Sequence, residues 1–524
     1  MGQEGSVQLC FRFVLETALQ RFLMGKVGAG SPLSPWVIPF PSRLLRRKLP
    51  PIPTMPFSSR CPLPALCLLF LAGCVSDMPP MDPPDVPTPG KWQALPSAGT
   101  GEVPEFRFPS SDFMGTPIPG LVEEALGHSP FVESAEALAE AAESQVTIAK
   151  GSRLPQILGR GQASRQMHNL GTNPAFSKFF QGGTFISNNY VADSPVSWEL
   201  DLWGRLKDLE HAAQASAEAA AEDFANARLL IASQVARAWV NLTKAELQAR
   251  LTSETVDSYE ANLGIIQNRY EQGLASALDL KLTQASLSSA RASLEGQGRE
   301  KAKARRALEA LLGRYPEGKL APGETLPVLG DSIPAGIPSE LLERRPDIRS
   351  AKQRLLAAGF QEKEAAKGFL PSISLTGLAG TASEELHNLA DWGFGSWSLA
   401  GNLSQPIFTG GRIKARKHQT EAVRKQAAAQ YEMVLLDAFR EVEDALDSEV
   451  RIAREEAALG QAASEFSDAE SLAWERYRKG LVDIITPLEA QRRANEAKTR
   501  HLAIQARRVE NRILLHLALA TELD

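Results

Sequence analysis

Cysteine is scarce in this 524-residue chain: Cys10, Cys61, Cys67 and Cys74 are all it has, so nothing beyond residue 74 can form a disulfide. Histidine is scarce too, at seven, and the sequence contains no His-x-x-x-His, no Cys-x-x-Cys and no glycine-rich phosphate loop. The usual signatures of metal, redox and nucleotide chemistry are therefore missing, and no cofactor is expected. Neither sign of charge prevails: 57 basic and 62 acidic residues are interspersed, for a net charge of −5. That removes the basic footprint of a nucleic-acid binder, so no nucleic acid is expected among the partners. Serine, histidine and aspartate are present, but no nucleophile motif such as Gly-x-Ser-x-Gly arranges them, and an enzyme is not expected. After Cys74 there is no run of eighteen apolar residues, which excludes a transmembrane helix. Any membrane span there must be built of strands closed into a barrel.

Proline is distributed unevenly: 21 of 34 lie in residues 1–120, none in 206–315, and only Pro487 after 412. The front is therefore extended and the remainder suits helices. From Met55 the chain reads MPFSSR, then the apolar CPLPALCLLFLAG, then Cys74. This is a secretory signal over 55–73, too short to span a membrane. Leu71-Ala72-Gly73-Cys74 resembles a bacterial lipoprotein signal, which implies cleavage before Cys74 and acyl chains on it, with Val75 favouring the outer membrane. Residues 1–54, with the basic run Arg43 to Lys48, read as an over-long start or an extended n-region. Residues 74–119, rich in proline, read as a lipidated extended arm able to run along another surface.

Beyond the arm the chain is a tandem duplication. LDLWGR ends at Arg205 and QPIFTGGR at Arg412, while RYEQG begins at Arg269 and RYRKG at Arg476, an offset of 207 in both cases. Gln284 maps to Gln491, and LEALLG (308–313) to LHLALA (515–520), at the same offset. Upstream, Leu154-Pro155 and Leu370-Pro371 are separated by 216, so an intervening loop has changed length. The expected organisation is a first repeat at 120–316, a linker at 317–337 and a second repeat at 338–522.

Each repeat reads helix, strand, strand, long helix, long helix. Residues 121–152 and 338–368 are Ala- and Glu-rich and are stopped by Leu-Pro. Val196, Trp198, Leu200 and Leu202 alternate with polar residues, as do Ile373 and Leu375, and Trp397, Leu399 and Leu403, in the manner of half-buried strands. Residues 206–272 as one helix would be about 100 Å long. Phe224, Ile231, Val235, Ala238, Leu242 and Ala245 form a seam for side-by-side coiled-coil packing, repeated by Tyr431, Leu435, Ala438, Val442 and Ala445. Four strands cannot close a barrel without exposed edges, so several copies must share one. The expected fold is mainly α with transmembrane β, a protomer of long coiled helices plus four strands.

The lipoprotein signal, LDLWGR, RYEQGLASALDL, RRPDI (344–348), LPSISLTG (370–377), QPIFTGGR, EVEDAL (441–446) and YRKGLVDIITPLEAQR (477–492) together resemble the TolC-like outer-membrane efflux ducts, in their lipoprotein branch, over residues 115–522. The resemblance implies a homotrimer with a shared 12-stranded β-barrel in outer-membrane lipid and an α-helical barrel through the periplasm. It also implies docking to a periplasmic membrane-fusion adaptor and, through it, to an inner-membrane RND-type pump. A passive, gated duct exporting drugs or other small toxic compounds is the function implied. A type I secretion or heavy-metal export duct shares the architecture, and a lipid-anchored adaptor or stalk without a pore is the reading from a different class.

The far ends of the long helices turn at Gly273 and Gly480, where glycine lets the backbone reverse. Just beyond lie Asp279 in the first repeat and Asp483, Ile485, Glu489 and Arg492 in the second. Spacings of four and three put Ile485, Glu489 and Arg492 on one side of a helix. The resemblance implies that Asp279 and Glu489 ring the periplasmic entrance, that Ile485 narrows it, and that Arg492 pairs with neighbouring helices to hold it shut. Like carboxylates gathered by symmetry are expected to have raised pKa values. Pro487 and the glutamate at 489 depart from the common pattern and put the local geometry in question.

Overall fold

The computed structural model describes residues 92–94, 107–108, 113, 115–169, 184–329, 342, 344–520 and 522–523, all within Cys67–Asp524. Cys74, the signal at 55–73, residues 1–54, most of the 74–119 arm and part of the 317–337 linker lie outside the described residues. In chain order the elements are β1 (Arg107–Phe108), α1 (Ile118–His128), α2 (Pro130–Gly151), β2 (Gln156–Ile157), β3 (Arg160–Asn169), β4 (Thr184–Leu200), α3 (Arg205–Glu271) and α4 (Ala277–Leu311). The second repeat supplies α5 (Pro346–Lys367), β5 (Ser372–Ser383), β6 (Gly395–Ser404), α6 (Arg412–Arg478) and α7 (Ile485–Ala518), and β7 (Glu522–Leu523) pairs in parallel with β1.

The helix expected over 121–152 is two helices. Pro130 has no N–H to donate and holds Ser129 extended (φ −75°, ψ 123°), so α1 stops and α2 restarts with proline in its first turn. Pro346 likewise sets the start of α5, with Arg345 extended before it, and Leu342 and Arg344 ahead of that break are also helical. The two long helices, α3 and α6, are 67 residues each and begin after left-handed glycines, Gly204 and Gly411. At about 1.5 Å per residue each runs about 100 Å.

Four main strands form an antiparallel sheet in the order β3–β4–β5–β6, with the short β2 also on β4. Among the described residues its two outer strands, β3 and β6, each have one unpaired edge, and every residue of β6 is exposed. The register places Trp198 opposite Leu375, Leu200 opposite Ile373, Ile373 opposite Leu403, and Ala379 opposite Trp397. Since side chains alternate, these residues share one apolar face, while Ser197, Thr376, Ser372 and Ser404 share the other.

Both expected seams are buried. Ile231, Val235, Leu242 and Ala245 pack with Trp239, Leu308, Leu312, Val509 and Ile513, with Phe224 and Ala238 at the margin. Tyr431, Leu435, Ala438, Val442 and Ala445 form a second cluster with Phe439 and Leu515. Each fully buried large apolar side chain contributes about 1.5–3 kcal/mol. Trp92 enters this second cluster, edge-on to Phe439 at 6.3 Å, and the backbone N–H groups of Gln93 and Ala94 each donate to the Glu443 carboxylate at 2.8 Å. At that point the N-terminal arm is fastened to α6.

A second carboxylate organises the chain after α4. Glu309 is buried and accepts N–H groups from Gly318 (2.7 Å), Lys319 (2.8 Å) and Leu320 (3.0 Å). Burial pushes its pKa up, but the three N–H donors, with Arg305 nearby, outweigh burial and hold it below the ordinary carboxylate value. The stabilisation is therefore complete above the unfolded carboxylate pKa and is lost as pH falls through the lower folded value. Glu309→Ala, which strands three donors, is expected to cost about 1–3 kcal/mol. Limited proteolysis of residues 314–329 checks this: cleavage should speed up in the variant, and in the parent protein only on acidification.

Candidate functional site at the helix tips

The sequence after each long helix forms the same turn. Gly273 (φ +71°) donates its N–H to Tyr270, and Leu274 donates to Arg269 at 2.8 Å; Gly480 (φ +72°) donates to Tyr477, and Leu481 to Arg476 at 3.0 Å. Two carbonyls left over at each helix end are satisfied this way, and only a left-handed residue permits it. The tips are joined within one chain: Arg269 donates to the Arg478 carbonyl at 3.2 Å and lies over the Tyr477 ring at 5.2 Å.

Asp279 is the third residue of α4 and completes a capping box. Its carboxylate accepts from Ser276 N–H at 3.0 Å while the Ser276 hydroxyl accepts from Asp279 N–H at 3.1 Å. Burial, and then the Asp279 charge, push the Tyr477 phenol up, against Arg269. Asp483 occupies the position that matches Ser276 and plays its part, accepting from the N–H (3.3 Å) and hydroxyl (3.2 Å) of Thr486, the match to Asp279. The acidic residue has thus moved to the other end of the box between the repeats, with each helix start still capped. Both acidic residues are committed first to holding a tip.

Pro487 is buried as the third residue of α7. The first intrahelical N–H bond comes from Leu488, to Ile484. Proline therefore sits among N–H positions that a helix start leaves unsatisfied, and the geometry question it posed resolves without a kink.

Ile485, Glu489 and Arg492 share an exposed face of α7, and Ile485 is 57% exposed despite being apolar. Glu489 takes a bidentate pair from Arg492 (2.8 and 2.9 Å) and a further bond from Arg493 (2.9 Å), while Arg492 also reaches Glu496 at 3.3 Å. The Arg492 and Arg493 guanidiniums hold the Glu489 carboxyl down at about 2, and Glu489 in turn raises Arg492. Within one chain, then, the shift at Glu489 is opposite to the rise expected from clustered carboxylates. Among the described residues the hydrogen-bond partners of Arg492 lie on its own helix, while Tyr259 of α3 interacts with it through charge.

A polar contact that sequence reasoning missed ties α7 to α3. Gln491 is 1% exposed, donates to Ser258 Oγ at 2.8 Å and accepts from Asn262 at 3.4 Å; further up, Gln248 donates to Thr499 at 3.1 Å. The sequence marks Gln491 only as the repeat mate of Gln284, and nothing in its spacing points across to α3.

Comparison with known proteins places this geometry among relatives. The sequence model described as outer membrane efflux protein matches residues 121–314 and 337–521. The chain is 33% identical to the outer membrane protein OprJ of Pseudomonas aeruginosa, over 82% of this chain and 89% of that one. It is 28% identical to the cation efflux system protein CusC of Escherichia coli K12, over 88% of this chain and 99% of that one. A crystal structure of a membrane protein from Pseudomonas aeruginosa superposes with a TM-score of 0.75 at 31% identity, covering 85% of this chain and 97% of the other.

Proposed function

Because this chain belongs to the outer membrane efflux protein family, we propose that it is the passive, gated outer-membrane duct of a tripartite system exporting drugs or other small toxic compounds. Three copies unite their four-stranded sheets into one 12-stranded barrel. The long helices continue it as a cylinder into the periplasm, where the tips meet a membrane-fusion adaptor and, through it, an RND-type pump of the inner membrane. Acyl chains on Cys74 anchor each copy to outer-membrane lipid.

The observation that carries this reading is the pairing of an apolar-faced sheet, open at β3 and β6, with helices of about 100 Å on the same chain. An open sheet of this kind is not stable in lipid until its edges are closed, and closure by further copies leaves the polar face lining a passage. Nothing in the tip geometry calls for a reaction. The tips hold capped turns, an apolar residue in the open and an ion-paired carboxylate, which are parts for closing an aperture.

Deleting the gene in the native host is expected to raise sensitivity to hydrophobic drugs, with recovery on supplying the intact chain and weaker recovery with Cys74→Ser. The kinship with a cation efflux protein keeps a heavy-metal duct as the second reading. It predicts instead that the deletion sensitises to heavy-metal cations while drug tolerance is unchanged. A type I secretion duct would leave both tolerances intact and stop the export of a protein.

A further inference from the structure

The two faces of the sheet differ in charge as well as in polarity. By the alternation of side chains, Arg160, Gln162, Ser164 and Gln166 of β3 share the polar face with Asp193 and Ser197 of β4. Arg160 and Asp193 are direct cross-strand partners. The guanidinium donates from Nε to Asp193 Oδ1 at 2.9 Å and from Nη2 to Oδ2 at 2.5 Å, a bidentate fork that fixes both side chains.

This pair stands apart from every other charge on its face. Among the described strand residues there, the other ionisable groups are Glu199, six residues along β4 and paired with Arg205 at 2.9 Å, and His168, eight residues along β3. At about 3.3 Å per residue they lie about 20 Å and about 26 Å away, well beyond the distance of about 8 Å over which salt water screens a charge. The stretch between holds serine, threonine, asparagine, glutamine and apolar residues, so Arg160 and Asp193 alone set the field at their level.

Strand pairing does not require them. Adding 216 to one strand and 207 to the other carries Arg160 opposite Asp193 onto Thr376 opposite Ala400, and β5 joins β6 there with no charge at all. An ion pair with one member half in water also contributes little to stability. What the pair does is present its two ends unequally. The Arg160 side chain is 51% exposed and that of Asp193 is 4% exposed. Strand β5 keeps the carboxylate in place from the other side, where a Cβ on Gly380 would stand 2.5 Å from the Asp193 Cβ and 2.3 Å from the Ala192 carbonyl oxygen. Two of the five N–H donors of Arg160 are spent on Asp193, and the others have no partner among the described residues.

We propose that Arg160 is a selectivity residue of the passage, favouring organic anions such as carboxylates and sulfonates over cations of the same size. The inference rests on the oligomeric duct proposed above, in which the polar face lines the passage. Three copies then bring three guanidiniums to one level, each with its carboxylate tucked behind it, and a solute meets the cationic edge first. Rings of arginine favour anions. The remaining N–H groups can hold a passing carboxylate or sulfonate by charge-assisted bonds, while Asp193 keeps the ring from binding so tightly that cargo stays.

The test is the reversal potential of the full chain in planar bilayers under a potassium chloride gradient. Arg160→Gln uncovers three carboxylates and should raise the potassium-to-chloride permeability ratio about threefold, while Asp193→Asn releases three guanidiniums and should lower it by a similar factor. The double variant Arg160→Gln, Asp193→Asn should fall between them. The helix tips lie in series with this level and are the same in every variant, so the differences read the ring. A pair that served stability alone would lower the melting temperature in both single variants and leave the ratio unmoved. Gln162→Glu covers the case of pair variants that do not assemble, since it keeps the pair and sets a carboxylate two residues along the same face; its ratio should also move toward potassium. A ratio common to the parent, Arg160→Gln and Asp193→Asn, or a Gln162→Glu ratio equal to the parent's, overturns the role of Arg160 and leaves the duct standing. Inserted protein that passes no current in any variant, with the tips opened by Arg492→Glu and Ile485→Ala included, overturns the duct reading beneath it as well.

Discussion

Arg492→Glu, combined with Ile485→Ala, is expected to raise single-channel conductance severalfold in planar bilayers. The face of α7 that carries Ile485, Glu489 and Arg492 is the exposed side of a capped helix start, and Arg492 bridges Glu489 and Glu496, which Arg493 and Arg500 also pair. Reversing its charge leaves three carboxylates on one face, and shortening Ile485 removes the apolar bulk beside them. Like charges within reach of each other spread the tips. Unchanged conductance in the double variant would remove these residues from any gating role. The pH dependence has a definite sign. With the Glu489 carboxyl held at about 2, the support it lends to α7 is complete above the ordinary carboxylate pKa and is lost only as pH falls toward 2. Closed-state conductance should therefore be flat from pH 5 to 8 as far as this residue is concerned.

The largest expected stability effect is at Gly313. Its φ of +74° is left-handed, and a Cβ there would stand 2.4 Å from the His128 carbonyl oxygen, which is backbone and cannot swing away. Left-handed strain of about 1–2 kcal/mol and the displacement of packed backbone, also about 1–3 kcal/mol, together place Gly313→Ala near 3 kcal/mol of destabilisation. The matching residue in the second repeat is Ala520, left-handed at φ 48° and the one non-glycine with positive φ among the described residues. Ala520→Gly relieves that strain but adds freedom to the unfolded chain, so a gain of no more than about 0.5 kcal/mol is expected. Thermal melts followed by helical circular dichroism in detergent should show Gly313→Ala melting several degrees lower and Ala520→Gly melting level with or slightly above the parent.

How much of the fold is legible in the sequence depends on how strongly each segment's chemistry is patterned. The long helices and their seams are readable because a lack of proline and a run of apolar and small residues at coiled-coil spacing leave one packing solution. Strand β3 is not. Its sequence, RGQASRQMHN, carries only Gly161, Ala163 and Met167 as apolar residues on the side shared with Trp198, so no alternation stands out. The offset of 216, visible at Leu154 and Leu370, is the signal that locates it. At the tips, the glycines and the shared face of Ile485, Glu489 and Arg492 follow from spacing alone. The capping duties of Asp279 and Asp483, and the contacts of Gln491 and Arg269, depend on where a second hairpin comes to rest, and local sequence says nothing about that.

The clamp of Glu443 on residues 93 and 94 sets a leash. Trp92 is eighteen chain steps from Cys74, which fully drawn out reach about 60 Å. Trp92 docks beside Phe439, 27 residues along α6 from the sheet end at Arg412, a drop of about 40 Å. Were Cys74 acylated as proposed above, this reach would exceed the distance to the sheet end by about 20 Å. On that proposal, deleting more than about six residues between Cys74 and Trp92 would set the lipid anchor against the Glu443 clamp, so length there matters more than composition.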